Sequence, residues 1–211
     1  MGSTYCKACP YGTYEDTGKT GMVSESQCSN CGLGRFGTEN ASTSFLSCKD
    51  CPVGTYSNRL NTRTCMPCPV GREATWVRTP ECSRCSPGKV RLGSEIKCHF
   101  CRLASQYAGL AGDSCFACGR GEFVNENRTG CARCPVGTYS ELDGASTVAA
   151  CMGCPPGRFG VSVGVGSASG CIGCAAGRYS SILGATSEED CKPCDAGKYG
   201  SRRQRQAERK S

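Results

Sequence analysis

The residues most able to do chemistry are the cysteines. There are 22 in 211 residues, and all of them fall in eleven C-x-x-C pairs that begin at Cys6, Cys28, Cys48, Cys65, Cys82, Cys98, Cys115, Cys131, Cys151, Cys171 and Cys191. Paired thiols at this spacing can ligate zinc, exchange disulfides as a redox centre, or form structural bridges. A redox centre of the thioredoxin kind needs a βαβ setting, which the sequence does not contain. Bridging within one C-x-x-C strains the bond geometry, so structural bridges must join different pairs. Zinc needs four ligands and therefore two pairs per ion, which would give five sites and one orphan pair. The chain has a single histidine, His99. These counts favour bridges, and a zinc-binding intracellular array that contacts nucleic acid or protein is the rival.

Two bridging schemes fit. In the first, the second cysteine of each pair joins the first of the next. The bonds are then Cys9–Cys28, Cys31–Cys48, Cys51–Cys65, Cys68–Cys82, Cys85–Cys98, Cys101–Cys115, Cys118–Cys131, Cys134–Cys151, Cys154–Cys171 and Cys174–Cys191, with Cys6 and Cys194 left to partners outside this chain. In the second, neighbouring pairs cross-link first to first and second to second, and one pair is left over. The first is preferred because each loop then encloses one turn motif.

That motif is C-x-x-G-x-aromatic, as in Cys51-Pro-Val-Gly-Thr-Tyr56, Cys134-Pro-Val-Gly-Thr-Tyr139 and Cys174-Ala-Ala-Gly-Arg-Tyr179. Glycine is present in ten of the eleven copies and the aromatic in eight, the exceptions being Glu73, Val90 and the copy after Cys101. Proline followed by x-Gly is turn chemistry, since proline sets φ and glycine accepts positive φ. A short strand begins at the aromatic, and its ring is expected on a neighbouring disulfide. Asn40-Ala-Ser-Thr43, Gly144-Ala-Ser-Thr147 and Gly184-Ala-Thr-Ser187 read as hairpin returns.

The composition demands such a scaffold. Leu, Ile, Val and Phe make up only 28 of the 211 residues, too few to bury an ordinary core. Each bridged loop restricts the unfolded chain by about 3 kcal/mol in the chain-entropy account. The pairs recur every 16–22 residues, the mark of an array of small units. Long-type modules are expected over residues 5–51 and 131–200, with short-type modules over 48–134, divergent at 82–118. The fold class is therefore small and disulfide-rich: an elongated array of short β-hairpin modules, laddered by disulfides, with little helix.

The pattern C-x-x-C-P-x-G-x-Tyr/Phe, repeated over residues 5–200, resembles the ephrin-receptor-like cysteine-rich repeat. It is also similar to the first small module of tumour-necrosis-factor-receptor and growth-factor-receptor cysteine-rich domains. The resemblance implies an extracellular, non-enzymatic rod from a receptor ectodomain or surface protein, a spacer or a protein- or glycan-binding segment that needs no cofactor and no metal.

The net charge of +7 includes +4 from residues 202–211; residues 201–211 are a basic tail expected to be disordered, in which Arg202-Arg-Gln-Arg205 fits a minimal processing site. The nearly balanced body argues against nucleic acid as a partner. No run of 18 apolar residues occurs, so membrane contact is expected only through parts of a parent protein outside this chain. No leader precedes Cys6, and the chain reads as a fragment. Asn40-Ala-Ser and Asn127-Arg-Thr are glycosylation sequons. His99 reads as a surface residue, Trp76 as a displaced packing ring, and Glu188-Glu189-Asp190 as a solvated turn.

Overall fold

The computed structural model of the chain describes residues 7–15, 22 and 24–200. Cys6 and the basic tail, with the expectations attached to them, lie outside the described residues. Ten disulfides join successive C-x-x-C pairs, from Cys9–Cys28 through Cys174–Cys191. They close ten loops, numbered 1 to 10 in chain order. Among the described residues, ten two-stranded sheets join strands that are neighbours in the chain. In each loop a turn feeds a strand of two or three residues, which pairs with the strand that starts beside or at the closing cysteine. Thr55–Tyr56 with Met66–Pro67 and Arg158–Phe159 with Ile172–Gly173 are examples. Among the described residues, helix is confined to single 3-10 turns such as Phe45–Ser47 and Glu188–Asp190.

The turn is built as the motif requires. In loop 3 the Thr55 N–H donates to Pro52 O at 3.1 Å across Gly54, whose φ is +79°. The glycine therefore sits at the third turn position, which demands positive φ. The proline stands at the first position, so its fixed φ lies outside the turn's centre. The copy after Cys101 departs from the motif. Its turn starts one residue later, with Gln106 N–H donating to Leu103 O at 3.1 Å. The inserted residue shifts Tyr107 into the aromatic slot, where it pairs across the hairpin with Phe116.

The contacts divide the chain into two compact units, residues 1–99 with 110–114, and residues 100–109 with 115–211. Within each unit, consecutive loops stack by backbone hydrogen bonds. In the first unit the Gly34 N–H donates to Ser57 O and the Gly54 N–H to Ala74 O, both at 2.8 Å. In the second, Gly137 N–H donates to Gly160 O at 2.9 Å and Gly157 N–H to Ser180 O at 2.8 Å. The segments read as simple returns do more than turn the chain. Ala41, Gly144 and Gly184 donate their N–H groups to the carbonyls of Cys9, Cys118 and Cys154, one loop back. Their small residues fit because Ala145 and Ala185 are buried in that contact.

The core is made of cystines and small side chains. The aromatic rings lie on the cystine of the following loop: Tyr14 packs with Cys31 and Cys48, Tyr56 on Cys68 and Cys82, and Phe159 with Cys191 and Cys174. Tyr179 is the informative exception. The cysteine that would open the next loop beneath it, Cys194, is unpaired, and the ring is 48% exposed where Phe159 is 6% exposed. Without the underlying sulfur pair, the ring has nothing to cover.

Candidate interaction surfaces

The position after the aromatic is the most regularly buried in the repeat. Ser57, Ala74, Ala108, Val124, Ser140 and Ser180 occupy it, as does Arg91. Its N–H donates to the next loop, as in Ser140 to Val165 O at 3.0 Å. No residue type marks it in the sequence, because burial there is imposed by the loop stacked above. The slot before the aromatic is polar and serves the backbone. Threonine there closes its own turn, as Thr138 Oγ1 does to Pro135 O at 2.7 Å. Arginine there caps the next cysteine's carbonyl, as Arg158 does to Cys171 O and Arg178 to Cys191 O, both at 2.9 Å.

Two arginines act as internal staples. The buried Arg91 donates from one Nη to Cys68 O at 2.9 Å and Pro69 O at 2.7 Å. Arg128 donates to Cys101 O, Leu103 O and Gln106 O, and lies 5.4 Å from the Phe100 ring centre. Losing a charged donor to buried carbonyls costs the desolvation of the groups left behind. Arg91→Ala is expected to lower stability by about 2–3 kcal/mol, read as a shifted midpoint in denaturant titration with unchanged slope.

Both sequon asparagines are exposed. Each precedes a residue in the left-handed region, Ala41 (φ 54°) or Arg128 (φ 55°), that is tied to the preceding loop. The side chain of Asn125 accepts from Thr129 N–H at 2.9 Å, fixing the turn that presents Asn127. Beside it, Phe123, Val124, Asn125, Arg128, Thr147 and Val148 line a shallow groove.

The remaining singled-out residues divide. His99 is partly exposed and paired with Glu95 on the same strand approach. In the acidic triplet, Asp190 caps its 3-10 turn, accepting from Thr186 N–H at 2.8 Å and Ser187 N–H at 3.2 Å. Trp76 corrects its reading as a packing ring: it is 79% exposed, three residues past the aromatic slot, which Glu73 fills by accepting from the Cys98 N–H. Among the described residues no cluster of three or more His, Cys, Asp or Glu side chains could hold a metal. The twenty bridged sulfurs are bonded to one another and are not thiolates. No helix among the described residues is long and apolar enough to cross a membrane. Thiol titration of the native chain is expected to find no more than the two cysteines outside the bridges, Cys6 and Cys194.

Residues 121–171 match the family model described as tyrosine-protein kinase ephrin type A/B receptor-like. That span holds all but the first residues of loop 7 and the whole of loops 8 and 9. Comparison with curated proteins finds no match.

Proposed function

We propose that this chain, whose residues 121–171 match the ephrin type A/B receptor-like family model, serves as a non-catalytic segment of an extracellular receptor or surface protein, spacing or presenting a binding surface for a protein or glycan. The observation that carries this reading is the unbroken series of ten bridges between consecutive pairs. Bridges at this density persist in oxidising compartments and are rare where cellular thiols keep cysteines reduced. They also occupy the sulfurs that the rival zinc array would need as thiolates. A scaffold whose interior is cystine and backbone has little buried volume for a catalytic cleft, whereas its loops leave many side chains exposed for recognition.

Two measurements test this. Chain secreted through an oxidising pathway should be recovered soluble, with the ten bridges found by mass mapping and no stoichiometric zinc. Recovery of a folded, zinc-loaded, reduced chain from the cytosol would overturn it. Asn40 and Asn127 are further proposed as glycan carriers. Asn40→Gln and Asn127→Gln are each expected to remove one glycan increment from the secreted protein, and an endoglycosidase should remove both from the parent.

A further inference from the structure

We infer that the first unit carries a cationic edge that binds a sulfated polysaccharide, formed by Arg59, Arg63, Arg78 and Lys97 with Trp76 as its stacking ring. The inference rests on the extracellular reading above and names the partner class.

The overall balance of charge hides a segregation. Residues 52–98 hold eight basic side chains and three acidic ones, a net of +5, while residues 1–51 and 99–201 each carry −1. The three acids are engaged. Glu73 accepts from the Cys98 N–H at 2.7 Å, Glu81 pairs with Arg72 at 3.5 Å, and Glu95 accepts from Leu92 N–H at 3.1 Å and pairs with His99. Arg72 and Arg91 spend their guanidinium groups on backbone carbonyls. Arg59, Arg63, Arg78 and Lys97 are exposed. Among the described residues none of these four lies within ion-pair distance of a carboxylate. Arg63 stands over the Tyr11 ring at 4.3 Å, leaving its edge donors to solvent.

Stacking sets these four in a row. The linker of each loop docks against the turn glycine of the loop two before it: Asn61 on Gly12, Arg78 on Gly34, and Ile96 on Gly54. Asn61 and Arg78 also donate equivalent N–H groups, to Cys31 O at 3.5 Å and Cys51 O at 2.9 Å. Arg59 and Arg63 flank the first docked residue, Arg78 is the second, and Lys97 adjoins the third. Successive loops thus repeat a cation at one edge. Trp76 lies two residues from Arg78, and its carbonyl accepts from Thr79 Oγ1 at 2.7 Å, which fixes that linker.

A linear row of unpaired cations matches an extended polyanion. Guanidinium forks suit sulfate oxygens as they do phosphate. An exposed indole beside this row supplies a flat face for a sugar ring.

The test uses the full oxidised chain with its tail neutralised (Arg202→Ser, Arg203→Ser, Arg205→Ser), binding a heparin oligosaccharide at physiological salt. This chain is expected to bind, and binding should weaken as salt rises. Arg59→Ser/Arg78→Asn/Lys97→Ser should weaken it about 100-fold. Asparagine at 78 keeps a residue tolerant of the left-handed backbone. The charge-matched control Arg84→Ser/Arg120→Ser/Arg133→Ser should weaken it less than about threefold, and Trp76→Ala should weaken binding without changing its salt dependence. Equal losses in row and control variants, no binding at all, or equal affinity for vesicles rich in phosphatidylserine would overturn the inference. Mass mapping of the same samples separates the failures: intact bridges without row-dependent binding refute only the cationic edge, whereas absent bridges refute the extracellular reading itself.

Discussion

Dithiothreitol should unfold this protein at temperatures where the oxidised chain stays folded. Each bridge closes a loop of 13–19 residues and contributes about 3 kcal/mol by restricting the unfolded chain. Whole domains are stable by only about 5–15 kcal/mol, so the loss of a few bridges exceeds the margin. No aliphatic core stands in reserve among the described residues, since the buried side chains are largely cysteine, alanine and serine. The rings of Tyr14, Tyr56 and Phe159 lie on the sulfur pairs and lose their floor when those open. Near-ultraviolet circular dichroism and proteolysis, with and without reductant, measure this. A cooperative melting transition unchanged by full reduction would show that something other than sulfur holds the fold.

Gly137→Ala is the second large effect. Gly137 has a φ of +77°, and an added Cβ would collide with Gly184 O and stand 2.9 Å from Thr186 Cγ2, in the loop two further on. The left-handed conformation alone costs an alanine about 1–2 kcal/mol. The collision with backbone forces loop 10 away from loop 8, and the total is expected at about 3–4 kcal/mol. Gly177 separates the two contributions. It has the same role and a φ of +79°, but nothing lies within 4 Å of its Cβ position. Gly177→Ala should therefore cost about 1 kcal/mol. Chemical denaturation of the two oxidised variants checks the difference, and equal losses would show that the contact between next-nearest loops carries no stability.

The turn glycine shows how far the repeat can be read without coordinates. Its positive φ follows from the position after Pro-x, a matter of a few neighbouring residues. Its need for empty space does not follow, because the colliding atoms of Gly184 lie 47 positions away and meet Gly137 only when loops stack. The same division runs through the molecule. Cysteine spacing narrowed the pairing to two schemes and placed one turn and one short hairpin in each loop, since these depend on chain closure over 13–19 residues. Stacking decided the rest: the burial of the residue after the aromatic, the inward staples of Arg91 and Arg128, the exposure of Trp76 and Tyr179, and the alignment of Arg59, Arg78 and Lys97. Those outcomes depend on which loop covers which, a relation between segments one or two modules apart that local composition does not encode.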